Sequence, residues 1–169
     1  MFAVGDKVVH PIHGAGIIEG VEAKEFFGKM KDYFILRIPA CSMKIMIPCE
    51  GAESTGIRSI ISKDDCQKVF DILRHGIVNE KFAKEMPNAK WNYRHRILME
   101  KIKSGNVYDL ADIVRVLSLR NNEKPLSGGE KRVLDQARTI LASELSLAGE
   151  ISPEAAVEKI NDLLLLKAE

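Results

Sequence analysis

The sequence predicts an α+β chain, with a small antiparallel β-barrel followed by an all-helical domain. Three observations carry that expectation. Up to about residue 58 the apolar residues fall in short runs separated by turn residues. From about residue 60 their period lengthens from 2 to 3.6. Hydrophobic residues make up 46% of the 169, enough for a packed core in one large domain or two small ones.

The strands come first. Lys7-Val8-Val9-His10 reads as a short strand, and Gly14, Gly16 and Gly20 punctuate a second run over residues 17–27. Gly28-Lys29 separates that run from a third over residues 32–38, which predicts a hairpin. Residues 39–42 turn the chain, residues 44–48 make a fourth strand that Pro48 closes, and residues 57–59 make a short fifth. Five short antiparallel strands in fewer than 60 residues suggest an SH3-like or Tudor-like barrel. Ile45, Met46 and Ile47 are consecutive, so one face of the fourth strand turns away from the barrel core, either toward the helices or toward a partner's strand.

The helices follow. Ser62 and Asp65 signal a helix start before the stripe Cys66, Val69, Phe70, Leu73, and His75-Gly76 ends it. A short helix is expected over residues 78–85. Pro87-Asn88 restarts the chain, and the next helix carries Trp91, His95, Leu98, Met99 and Ile102 along one side until Ser104-Gly105. Val107, Leu110, Ala111, Val114 and Leu117 form the next stripe. Residues 121–125 are a loop. Ser127 and Glu130 form a capping box that opens a helix burying Leu134, Ala137, Leu141 and Leu145. Ser152-Pro153 opens the last helix, with Ala156, Val157, Ile160, Leu163 and Leu164 expected inward. Five or six helices result, and the division falls between residues 1–58 and 59–169.

Charge separates the parts. The net formal charge is only +1. Residues 74–138 hold 14 Lys/Arg against 8 Asp/Glu, a net of +6, and residues 139–169 hold 2 against 6, a net of −4. Residues 1–58 hold 7 of each. The middle of the chain is therefore the part with an electrostatic reason to meet a polyanion. The start lacks a basic leader and a long apolar run, and no stretch approaches the roughly 18 apolar residues of a membrane span. Three widely spaced cysteines, Cys41, Cys49 and Cys66, argue against a disulfide framework. A cytoplasmic protein without membrane contact is the expectation.

Motifs point away from catalysis. Leu126-Ser127-Gly128-Gly129-Glu130-Lys131-Arg132 is similar to the signature motif of ABC-type ATPases. That motif works with a phosphate-cradling loop and an acidic strand end, and neither occurs here. The plainer reading is that Ser127 caps, Glu130 reciprocates, and Gly128-Gly129 lets another backbone come close, with Lys131 and Arg132 near a helix start able to receive a phosphate. His10 and His13 lack further ligands at metal-binding spacing and read as turn residues. Asp64-Asp65 reads as helix-start charge, and no nucleophile motif surrounds any Ser or Cys. No enzyme activity, cofactor, metal or small-molecule substrate is expected. The one tryptophan stands in Lys90-Trp91-Asn92-Tyr93-Arg94-His95-Arg96. Two readings stay open: Trp91 plugs the helical core with the cations as its solvated flank, or its ring meets nucleic acid while the cations hold phosphates.

Three motifs in order resemble the CarD/CdnL bacterial transcription factors. They are the opening Val4-Gly5-Asp6-Lys7-Val8-Val9-His10-Pro11 with His13-Gly14, Trp91 at the head of a basic helix, and residues 126–132. The likeness runs to about Leu147. Its N-terminal part also resembles the polymerase-binding module of the transcription–repair coupling factor, although no helicase motifs follow. The resemblance implies a Tudor-like domain docked on the RNA polymerase β subunit and a helical domain at promoter DNA. It further implies a tryptophan wedged into the minor groove at the upstream edge of the bubble, which stabilises the open complex. Trp91 matches that tryptophan, Arg96 matches a basic DNA-contacting position, and Lys131 and Arg132 match the basic helix start. Lys90 and Arg94 complete the expected DNA set. Two positions that are arginine in some members are Lys24 and Met46 here, which shifts the expected polymerase contact toward an apolar surface or toward Lys44. Tyr93 replaces a further cation. The alternative is a protein-interaction module in which Trp91 is structural and touches no DNA.

Overall fold

A computed structural model describes residues 1–76 and 90–168. The expected helix over residues 78–85 and the restart at Pro87-Asn88 lie outside the described residues. The fold is α+β with a Tudor-like N-terminal part. Five strands, β1 (Lys7–His10), β2 (Gly14–Phe26), β3 (Lys29–Ile38), β4 (Met43–Pro48) and β5 (Arg58–Ser59), form one antiparallel sheet in the order β4-β3-β2-β1-β5. Five helices follow among the described residues: α1 (Cys66–His75), α2 (Trp91–Lys103), α3 (Val107–Glu123), α4 (Gly128–Gly149) and α5 (Pro153–Ala168). No helix among the described residues is long and apolar enough to cross a membrane.

The sheet buries one face on its own small core of Val8, Ile18, Phe34, Leu36, Ile38, Ile47, Ala52 and Ile57. The alternation that predicted strands places these residues: Phe34, Leu36 and Ile38 point in, while Tyr33, Ile35 and Arg37 point out. Both long strands begin earlier than the hydrophobic pattern indicates. Gly14 to Gly16 read as punctuation, yet they are buried strand residues paired with β1. Lys29 to Lys31 pair with residues 24–26 of β2 although both their faces meet solvent, so no alternation marks them. Phe27 and Gly28 close the hairpin with φ of 50° and 75°, the doubly left-handed turn that suits strand twist.

The helical core gathers Leu73, Leu98, Ile102, Leu110, Ile113, Leu117, Ile140, Leu141, Leu145 and Ile160, among others, and extends to Val9 and Ala15 of the sheet. Val157, expected on the buried stripe of α5, is 42% exposed. The buried line runs Ala156, Ile160, Leu163, Leu164, and Val157 sits about 100° from Ala156 around the helix, on the stripe's edge.

Two polar devices hold the sheet to the helices. Gly14 (φ +98°) comes so near α4 that a Cβ there would stand 2.5 Å from the Ser143 hydroxyl, and the Ala15 amide donates to that hydroxyl at 2.8 Å. Arg58 of β5 grips Glu144 of α4 through its two terminal guanidinium nitrogens at 2.7 Å each and donates through Nε to the Gly105 carbonyl between α2 and α3. The fully buried Glu144 carboxylate also accepts from the Ile61 amide at 3.0 Å, so this buried ion pair has further partners for its oxygens.

Candidate functional site

Trp91 is the first residue of α2. Its neighbours on the same side of the helix are those three and four residues on, Arg94 and His95. The indole and the His95 ring stand 5.1 Å apart, and the Arg94 guanidinium lies 5.9 Å from the indole centroid. The ring is half-buried. Its benzo edge rests on Gly129, where a Cβ would fall 2.5 Å from Cζ2 and 3.1 Å from Cη2. Gly129 thus admits a side chain, where the sequence suggested a backbone. Gly128 has open space around its Cα.

The helix start at residues 127–130 also differs from its expected form. Ser127 caps α4, accepting from the Glu130 amide at 3.2 Å. Glu130 does not reciprocate. Its carboxylate, nearly enclosed, accepts from Arg94 at 2.7 Å. A charged guanidinium is a stronger partner than a neutral amide, so Arg94 takes the oxygen that a full capping box gives to the Ser127 amide. Arg94 is only 12% exposed, and its Nε is buried without a hydrogen-bond partner. Its described geometry is that of a brace between α2 and α4 beneath the indole.

The rest of the expected DNA set is dispersed around this centre. Lys90 precedes Trp91 and is exposed, and Lys131 and Arg132 are exposed on the first turn of α4. Arg96 is exposed too, but its guanidinium lies 5.6 Å from the Tyr93 ring. It stands about 140° around α2 from Trp91. Sequence reading missed Arg120 and Lys124. With Trp91, Arg94, Leu126 and Gly129 they line a groove of about 460 Å³ between the end of α3 and the start of α4. Their position just before the Leu-Ser-Gly-Gly run was the available signal.

The second set lies on the outward face of the sheet. Lys24 pairs with Lys31, Met46 with Ile35 and Lys44 with Arg37. Lys31, Ile35 and Arg37 are alternate residues of β3, so all three expected residues share one face. Lys24 is about 13 Å from Met46 along the strands, at four residues' rise. Met46 is 42% exposed. Glu19 holds both Arg37 (2.7 Å) and Lys44 (3.3 Å). β4 is an edge strand.

The three cysteines are free thiols, and burial first, then Asp32 for Cys49 and Glu144 for Cys66, pushes those two above the ordinary thiol range. A raised thiol is a poor nucleophile. The rings of His10 and His13 stand 4.7 Å apart, tilted by 38°, at the β1–β2 turn, and no cluster of three metal-ligating side chains occurs among the described residues.

Comparison with known proteins adds two matches that together span most of the chain. Residues 2–61 match the model of the CarD-like/TRCF RID domain, and residues 68–161 match that of the CarD C-terminal domain. The chain is 36% identical over 147 residues to "Putative transcription factor YdeB" of Bacillus subtilis (strain 168), covering 87% of this chain and 92% of that protein.

Proposed function

The chain belongs to the CarD family, and from that premise we propose that it is a transcription regulator that docks on the RNA polymerase β subunit and stabilises the promoter open complex. In this reading residues 1–58 form the docking part, through the outward sheet face with Lys24, Lys44 and Met46. Residues 59–169 form the DNA-binding part, with Trp91 entering the minor groove at the upstream edge of the bubble. Lys90, Arg96, Lys131 and Arg132 hold phosphates, and Arg94 keeps the indole in place. The observation that carries the reading is the setting of Trp91: a half-buried ring on a cationic groove, braced from beneath and not enclosed by apolar neighbours.

The mechanism is a population shift. Closed and open complexes interconvert, and a ligand raises the share of the form it binds better. An indole beside a distorted base step lowers the free energy of a state already strained by unstacking. A differential of about 1.4 kcal/mol changes the open-to-closed ratio tenfold. Phosphate contacts set position and carry no sequence information, and docking on polymerase supplies the effective concentration that a few such contacts lack.

Trp91→Ala is expected to leave polymerase binding intact and shorten the open-complex lifetime, whereas Met46→Glu loses polymerase binding with the fold intact. The seat of the ring on Gly129 favours a second reading, in which Trp91 is structural and the protein joins two protein partners. An unchanged lifetime with Trp91→Ala decides for that reading.

A further inference from the structure

We propose that the groove beside Trp91 seats one unstacked nucleotide of single-stranded DNA, its base against the indole and its phosphate on Arg120 and Lys124. The proposal rests on the DNA-binding reading above and goes beyond a wedge, because it gives the displaced base a place to go.

Four features support it. The cavity, about 460 Å³, lies within the range of small-ligand sites, roughly 300–1,000 Å³. One wall is the single tryptophan, and an aromatic face stacks on any base. The same lining holds Arg120, half-buried, and Lys124, exposed, and neither has an acidic partner among the described residues. The one acid in the lining, Glu130, is neutralised by Arg94 at 2.7 Å, so the groove keeps two uncompensated cations. Lastly, the first turn of α4, whose leading amides lack intrahelical acceptors, adds its dipole to the same groove. An intact duplex keeps its bases stacked and cannot present one to a groove of this kind; a melted junction can.

The test uses the full chain at low salt and reads the emission of Trp91 against three probes: a thymidine pentanucleotide, an abasic strand with the same number of phosphates, and a ten-base-pair duplex. The pentanucleotide is expected to quench Trp91 and to bind at least about fivefold more tightly than the abasic strand, since one stacked base contributes at least that factor. Lys124→Ala and Arg120→Ala are each expected to weaken it and to lower the salt slope by about 0.7. Lys124 is exposed and has no side-chain partner among the described residues, so that variant keeps the fold, which circular dichroism verifies. Equal binding of abasic and base-bearing strands, or variants that bind like the wild type, overturns the nucleotide seat. If the duplex binds and the pentanucleotide does not, the seat falls and the DNA-binding reading stands. If no probe binds and open-complex lifetime is unaffected by the protein, both fall. A uridine pentaribonucleotide binding tenfold tighter than its DNA counterpart overturns the assignment to DNA.

Discussion

Gly129 shows how one residue without a side chain sets the position of another. The indole of Trp91 occupies the space that a Cβ at position 129 takes up. Alanine is the better helix former by about 0.5–1 kcal/mol, so Gly129→Ala is expected to leave thermal stability nearly unchanged while displacing the ring. The single tryptophan reports this directly. Its emission shifts to the red, and the open-complex lifetime gain falls with it; an emission spectrum identical to the wild type's refutes the seating. Arg96 makes a different kind of contribution. It is exposed and stands away from the groove, so Arg96→Ala is expected to weaken DNA association at low salt, with a salt slope smaller by about 0.9, and to leave the emission of Trp91 alone. A loss independent of salt means damage to the fold and not a missing phosphate contact. Arg94 belongs with the DNA cations by its sequence neighbourhood alone. Nothing local in the sequence gives away its bond to Glu130, because that bond joins residues 36 apart through tertiary packing.

At the scale of single elements, the β1–β2 turn depends on the protonation of one ring. His10 Nδ1 accepts from the amides of Ile12 at 3.1 Å and His13 at 3.2 Å, which requires Nδ1 to carry no proton. Burial first, then the neighbouring His13, lowers the His10 pKa below its ordinary 6.5. The unfolded chain therefore binds the proton more readily. The stability that His10 contributes is fully present above pH 6.5 and is lost as the pH falls through the lower folded value. His10→Ala is expected to cost about 1 kcal/mol at pH 7.5, the worth of one or two net hydrogen bonds, and the gap to wild type narrows on acidification. Urea midpoints for both proteins between pH 7.5 and 5 check this; a constant or widening gap contradicts it. The same turn marks the limit of what the pattern made legible. Helices α3 and α4 were readable because long stripes bury on one side, and β3 was readable from its alternation. The glycine-rich start of β2 was not, since strand residues chosen for close approach to α4 carry no hydrophobic signal. Of the site, the tryptophan and the basic helix start were legible from composition. Arg120 and Lys124 had only their place just before the Leu-Ser-Gly-Gly run as a signal, because it takes the packing of α3 against α4 to bring them into one groove with the ring.

For the whole molecule, the Arg58–Glu144 clamp determines whether two surfaces act as one. Arg58 belongs to the edge of the sheet, Glu144 to the C-terminal half of α4, Gly105 to the joint between α2 and α3, and all three meet in one network. If polymerase holds the sheet and DNA meets α2 and α4, this network fixes the distance and angle between them. A rigid link gives Trp91 a high effective concentration at one point of the promoter, and a loose link spreads it over many. Glu144→Ala leaves a cation unpaired in a buried network and is expected to cost about 3–5 kcal/mol. For a chain of this size that lowers the melting temperature by on the order of 10 °C. Below that melting temperature the variant is expected to bind polymerase as the wild type does and to quench normally with DNA, yet to lose most of its effect on open-complex lifetime. Arg58→Lys, which keeps the charge but not the two-pronged grip, is expected to fall between the two. The decisive comparison is lifetime gain against polymerase occupancy, both measured on folded protein. A Glu144→Ala protein that is folded, bound, and as effective as the wild type shows that the two surfaces work independently and that the clamp serves stability alone.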